Sequence, residues 1–70
     1  MRYLYEVIDK DNHRRFYELR DNLNLYNITD GVDTWVDKFH SINHVEEFFK
    51  CLGARIVEMT TQMEEGEVRT

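Results

Sequence analysis

The sequence has one cysteine, no proline and no long apolar run. Because Cys51 has no second cysteine to pair with, a disulfide within the chain is excluded, and a reducing, intracellular setting is expected. No stretch approaches the roughly 20 apolar residues of a membrane span, and the first residues lack the apolar segment of a signal peptide. We therefore expect a cytoplasmic protein that does not associate with membranes. Without repeats or low-complexity linkers, the 70 residues are enough for one domain at most.

No catalytic, metal-binding or phosphate-binding motif is present, so we expect a non-enzymatic protein that needs no metal and no cofactor. His40, His44 and Cys51 are the nearest approach to a zinc site, but they share one face only if a single helix contains all three. Ser41 and Asn43 instead favour a helix that begins between the two histidines. His44 and Cys51 also lie about two helical turns, or ~10 Å, apart, too far for a thiol–imidazole pair. We interpret these residues as surface histidines and a small buried thiol.

Charge is distributed unevenly along the chain, whose formal net charge is -5. Residues 1–20 hold five basic and four acidic residues, whereas residues 21–70 hold four basic and ten acidic residues, a balance of -6. This total disfavours bulk binding to nucleic-acid phosphates. It favours a basic protein partner, including one whose basic groove normally holds nucleic acid. Solubility alone is the simpler explanation of the same charge.

Two segments near the start of the chain predict a β-hairpin with arms 3–9 and 14–20. Aromatic and β-branched residues alternate with polar ones in these arms, and the connection 9–13 is rich in turn-forming Asp and Asn. Residues 21–29 contain three asparagines, and we interpret them as a loop that becomes a short strand near 25–28.

The segment 30–40 has two interpretations. Asp30-Gly31 predicts a second hairpin through a type I′ turn, with Tyr26 opposite Trp35. The alternative is a helix capped by Thr29 or Asp30, because four apolar residues follow helical spacing: Val32, Trp35, Val36 and Phe39. We favour the strand, because aromatic and β-branched residues prefer strands.

The most regular pattern predicts a helix over about 43–52, followed by a strand over 55–61. Ser41 or Asn43 supplies the N-cap, and Asn43 with Glu46 resembles a capping box with acidic residues in the first turn. An apolar stripe follows at helical spacing: Val45, Phe48, Phe49 and Leu52. Gly53 then predicts the helix end.

These elements together predict an α+β fold: an antiparallel sheet of three to five strands packed on one helix, with both phenylalanines facing the sheet. We expect one domain over residues 1–61 and a flexible acidic tail over 62–70. A chain of this length buries roughly 60% of its unfolded surface, so a homodimer would add burial, and exposed strand edges offer a route to it.

The candidate functional surface is an acidic strip with one tryptophan: Asp30, Asp33, Trp35, Asp37, Glu46 and Glu47. Regularly spaced carboxylates can substitute for a phosphate backbone, and an exposed tryptophan is a favoured interface anchor. We therefore expect a protein-binding module, in its more specific form an inhibitor that covers a basic nucleic-acid-binding groove. Small, acidic proteins without a catalytic cluster are common among inhibitors encoded by phages and mobile elements. Ordinary surface charge and a buried Trp35 are the simpler readings.

The alternative function is a small nucleic-acid-binding regulator. It uses the basic, aromatic-flanked second arm of the first hairpin, whose candidate residues are His13, Arg14, Arg15 and Arg20. Arginines that protect the exposed surface of a hairpin are the simpler explanation.

Overall fold

The computed structural model describes residues 2–62, which form a five-stranded antiparallel sheet and one α-helix. The strands are β1 (Arg2–Ile8), β2 (Arg14–Arg20), β3 (Asn24–Asn27), β4 (Thr34–Lys38) and β5 (Arg55–Gln62), and the helix is α1 (Ile42–Cys51). A single 3-10 turn (Asp21–Leu23) joins β2 to β3. The sheet order is β4-β3-β2-β1-β5. The predicted α+β fold is confirmed, with five strands rather than fewer.

Four strands form a meander, and α1 then carries the chain from one sheet edge to the other. β5 therefore pairs with β1, at the opposite edge from β4. Gln62, assigned from the sequence to the tail, is the last residue of β5 and pairs with Arg2. The rest of the expected tail, 63–70, lies outside the described residues.

The first hairpin has the predicted arms, and its turn is built by Asp9. The Asp9 carboxylate accepts hydrogen bonds from the backbone N–H groups of Asp11 and His13, both at 2.9 Å. Asn12 adopts a positive φ of 68°, a conformation that asparagine tolerates better than most residues. Asp9 also binds Arg15 at 3.1 Å, which ties the turn to β2.

The ambiguous segment is a strand, β4, and Tyr26 pairs with Trp35 as the strand interpretation requires. The type I′ turn is wrong, because Asp30 does not adopt a positive φ, whereas Gly31 has φ +79°. A longer loop, 28–33, joins the strands, since Asn27 and Thr34 form the last pair of the ladder. The register shift between Leu25 and Tyr26 inserts Val36 as a bulge, which turns it toward the core.

The helix is capped by Ser41, whose hydroxyl accepts a hydrogen bond from the His44 N–H at 3.3 Å. The expected capping box at Asn43 is wrong, because Asn43 already lies inside the helix. Glu46 and Glu47 are consequently beyond the first turn, which holds no acidic residue.

The helix ends at the predicted glycine. Gly53 has φ +77°, and it donates its N–H to the Lys50 carbonyl at 2.9 Å while Ala54 donates to the Phe49 carbonyl at 2.9 Å. This is the Schellman arrangement, in which a left-handed residue lets the chain reverse. β5 begins two residues later.

The core lies between α1 and one face of the sheet. Its fully buried side chains are Tyr5, Val7, Leu19, Leu25, Val45 and Phe49. Phe49 packs against the ring of Tyr5 at 5.5 Å and that of Tyr17 at 5.0 Å, measured between centroids, and Phe48 packs against Phe39 at 5.3 Å. Both phenylalanines therefore face inward as predicted. Leu52, the last residue of the expected stripe, is 47% exposed.

Candidate protein-binding site

The opposite face of the sheet, called here the open face, is not covered by the helix. Directly opposite residues in an antiparallel ladder share a face. The ladder therefore places one row on the open face, which crosses all five strands in the order Trp35, Tyr26, Glu18, Leu4 and Thr60. Trp35 is the end of this row, on edge strand β4.

Trp35 is 55% exposed, so the simpler reading of a buried core residue does not hold. Its indole N–H donates to the side-chain oxygen of Asn24 at 3.1 Å, which fixes the ring orientation on the open face. Val32, in the preceding loop, is 68% exposed. Two large apolar side chains thus lie close in sequence at one end of the sheet and remain in contact with water.

The loop that carries Val32 is anchored to β2. Phe16 donates its N–H to the Thr29 hydroxyl at 3.0 Å, and Ile28 donates its N–H to the Phe16 carbonyl at 2.9 Å. Thr29 also donates its N–H to the Asn27 side-chain oxygen at 2.9 Å. These bonds fix the first half of the loop, so its exposed residues project from a defined base.

Asp33 is held on the open face by Arg20, at 2.5 Å. Arg20 also binds Glu18 at 2.7 Å, and its guanidinium lies 4.1 Å from the centroid of the Tyr26 ring. The two carboxylates raise the pKa of Arg20, with Asp33 making the larger contribution. Glu18 is buried between Arg20 and Arg2, the latter at 3.9 Å. This network supports the side of the sheet on which Trp35 lies.

The predicted acidic strip does not lie on one side of the molecule. Asp37 is opposite Leu25 in the ladder, in a row that faces the helix, and its carboxylate accepts the Lys38 N–H at 2.7 Å. Glu46 lines a cavity of about 260 Å³ between α1 and β5. That cavity is smaller than a typical ligand pocket of roughly 300–1,000 Å³.

The structure therefore brings together only part of the predicted set. Four exposed residues of the β3–β4 hairpin are called here the hairpin site: Asp30, Val32, Asp33 and Trp35. Asp37 is exposed on the same hairpin, but it lies in the row that faces the helix, on the other side of the sheet from Trp35. Glu47 is exposed on α1. Glu46, at the cavity beside β5, is directed toward the opposite sheet edge from β4.

The arginines of the alternative nucleic-acid site are paired with carboxylates. Arg14 binds Glu6 at 2.9 Å and Arg15 binds Asp9 at 3.1 Å. With Arg20 bound as described above, each of these three positive charges is offset by a neighbouring acid. His13 is exposed in the first turn. A phosphate backbone would have to compete with these carboxylates for every arginine.

The histidine and cysteine side chains form no cluster of metal ligands. The rings of His40 and His44 lie 6.3 Å apart, and Cys51 is exposed at the end of α1, so the expectation of a buried thiol is wrong. Within residues 2–62, no three His, Cys, Asp or Glu side chains come together in a group able to hold a metal ion.

A scan against protein-family models, a search of curated proteins and a search of solved structures each return no match. In the part of the chain that the structure describes, α1 is too short and too polar to cross a membrane.

Sequence reasoning missed Val32 as part of the hairpin site and Asn24 as the hydrogen-bond partner that orients Trp35. The sequence pattern places Val32 in the helical apolar stripe of the alternative interpretation. Under the strand interpretation, its position directly after Asp30-Gly31 places it in the turn, and this was the available signal. Asn24 gave no signal, because its bond to Trp35 joins residues on neighbouring strands.

Proposed function

We propose that this protein is a non-catalytic protein-binding module whose hairpin site docks on a partner with a basic surface. The observation that carries the proposal is the half-exposed, hydrogen-bonded indole of Trp35 on an edge strand. Tryptophan is enriched among the residues that dominate interface energies, because one rigid side chain buries a large area. An indole whose orientation is already fixed loses little conformational entropy on binding.

The charge around Trp35 selects the class of partner. Asp30 and Asp33 are the carboxylates of the hairpin site, and the segment 30–37 holds no lysine or arginine, although Arg20 of β2 binds Asp33. Carboxylates at the rim of an interface attract a basic surface and repel an acidic one. The paired state of Arg14, Arg15 and Arg20 favours a protein partner over nucleic acid.

In its more specific form, the proposal is that the partner's basic surface is a nucleic-acid-binding groove, which the hairpin site occupies. Binding then inhibits the partner by competition. The surplus of acidic residues after residue 20 supports this form, because long-range attraction to such a groove depends on net charge.

The test compares wild-type protein with Trp35→Ala and with Leu52→Ala. Leu52 is a matched control, since it is a comparably exposed apolar residue at the end of α1. Each protein is immobilised, proteins retained from lysate at low salt are identified by mass spectrometry, and the affinity for each is measured. We expect Trp35→Ala to weaken binding at least ~30-fold, the effect of a hot-spot residue worth about 2 kcal/mol, while Leu52→Ala binds as wild type.

Competition with double-stranded DNA tests the specific form. If the partner's groove is occupied, DNA displaces the protein and rising salt weakens the complex. Retention of no partner at low ionic strength contradicts the proposal. Equal loss of binding in Trp35→Ala and Leu52→Ala contradicts the assignment of the site, and a complex insensitive to DNA contradicts the inhibitor form.

A further inference from the structure

The other edge of the sheet, β5, is also without a neighbour among the described residues. β5 has eight residues, and one of its sides pairs with β1, which leaves a row of outward backbone N–H and C=O groups. An exposed edge of this kind is a template for pairing with another strand. Two of its apolar side chains, Val57 and Met59, are 46% and 44% exposed.

The two edges of the sheet differ in their protection against such pairing. β4 has five residues, is bulged at Val36 and ends with Asp37 and Lys38. Short length, bulges and charges are the usual devices that prevent edge pairing. β5 has its register shift near its start, opposite Glu6 and Val7. The segment 58–62 is therefore a regular strand, and its central residues are the uncharged Met59, Thr60 and Thr61.

We propose that β5 pairs with β5 of a second copy of this chain, in an antiparallel, two-fold arrangement centred on Thr60. This register places Met59 opposite the partner's Thr61 and Glu58 opposite the partner's Gln62, and it leaves the bulge outside the ladder. A register centred on Glu58 would instead place two carboxylates opposite each other, which is destabilising. A two-fold interface closes on itself, so it ends at a dimer.

The charge distribution opposes a second copy at β4. The acidic residues of the hairpin site lie at the β4 edge, so two copies joined there would repel each other. Two copies joined at β5 place those residues at the far ends of a continuous ten-stranded sheet. The dimer buries Met59 and adds apolar contact to a short chain whose own core is small. It presents two hairpin sites, and two linked sites bind a repetitive or dimeric partner more tightly than one.

The test is the mass of the protein in solution over a range of concentrations, by light scattering and sedimentation. We expect the wild-type mass to rise from the 8.5 kDa of the single chain toward twice that value. Met59→Lys places a charge in the middle of the pairing segment and is expected to weaken association at least tenfold. Val32→Lys makes the same kind of change at an even more exposed valine, in the loop before β4 and far from β5 in the sheet order, and it should associate as wild type.

Circular dichroism shows whether Met59→Lys folds. If it does not fold, a second measurement on the wild-type protein alone tests the dimer. In wild-type protein, hydrogen exchange of the β5 amides should slow as concentration rises, and that of the β4 amides should not. A wild-type mass that stays at 8.5 kDa up to ~1 mM, equal association of both lysine variants, or β5 exchange independent of concentration overturns the proposal. The dimer stands independently of the proposed partner, because Trp35→Ala should still dimerise and folded Met59→Lys should still bind through one hairpin site.

Discussion

Tyr5→Phe removes a buried hydroxyl that the structure leaves without a hydrogen-bond partner. The Tyr5 side chain is 0% exposed and lies between the sheet and the ring of Phe49. Burial raises the pKa of the phenol from 10.0 to about 12, and the nearby charge of Glu46 contributes in the same direction. Both observations have one cause, which is a polar group in an apolar environment.

The magnitude follows from two separate effects. An unsatisfied buried hydroxyl costs roughly 1–3 kcal/mol of desolvation, and phenylalanine avoids that cost but leaves a gap the size of one oxygen. We therefore expect Tyr5→Phe to be as stable as wild type at neutral pH or up to about 1 kcal/mol more stable. The raised pKa means that the free energy of unfolding of the wild-type protein should fall by roughly 3 kcal/mol between pH 10 and pH 12.

Stability falls with rising pH because the Tyr5 phenol has a lower pKa in the unfolded chain than in the folded protein. Above pH 10 the unfolded phenol loses its proton, whereas the folded phenol keeps it until about pH 12. The unfolded state therefore binds fewer protons in this window, and stability falls as pH rises. This contribution is fully present below pH 10 and is lost progressively toward pH 12.

The assay is urea unfolding followed by circular dichroism, for wild type and Tyr5→Phe, at neutral pH and at intervals between pH 10 and 12. The difference in free energy of unfolding should grow by about 1.4 kcal/mol per pH unit in favour of the variant. Two results refute the reasoning. One is parallel loss of stability above pH 10, and the other is a loss of more than about 2 kcal/mol in the variant at neutral pH, which would mean that the hydroxyl is hydrogen-bonded.

Two further predictions concern the turns. Gly53→Ala should lower the free energy of unfolding by about 1–2 kcal/mol, and by more than Gly31→Ala does. Both glycines have positive φ, but only at Gly53 does the new Cβ meet another atom, Lys10 Cβ at 3.2 Å. If urea unfolding gives equal losses of stability for the two variants, this contact has no cost. The hydrogen bond from the His13 N–H lowers the pKa of Asp9 below its ordinary value of 3.8, and the bond from the Arg15 side chain makes a smaller contribution in the same direction. The ionised Asp9 carboxylate therefore stabilises the fold at neutral pH, and this stabilisation is lost as the pH falls through the pKa of the folded state. Asp9→Asn should be less stable than wild type at neutral pH, and the difference in free energy of unfolding between the two proteins should narrow below pH 3.8. If the difference in stability between wild type and Asp9→Asn stays constant in acid, ionisation of Asp9 is not its cause.

Local signals were sufficient where one segment of chain decides its own structure. The first hairpin, the Ser41 cap and the left-handed Gly53 each depend on residues within a few positions, and each is found as one of the predicted choices. The segment 30–40 differs, because its apolar spacing fits a helix and its residue types fit a strand. Pairing of Trp35 with Tyr26 decided between them, and that pairing depends on β3 already lying beside β2.

The candidate site depended even more on tertiary arrangement. The spacing of Asp30, Asp33 and Asp37 gave no information about the bulge at Val36, which moves Asp37 into a row facing the helix. Nor did the sequence show that α1 would bring Glu46 to the cavity beside β5. Charges that form one group in the sequence therefore lie on different sides of the fold.

The sequence by itself determined the first hairpin, the helix with its glycine end, the strand that follows and the surplus of acidic charge, because alternation, helical spacing and turn chemistry act over a few residues. Only the tertiary structure decided which side chains remain in water. The crossing of α1 from β4 to β5 covers one face of the sheet, leaves Trp35 and Met59 exposed at opposite edges, and buries the Tyr5 hydroxyl. Exposure is a property of how the layers pack, and no short segment contains that information.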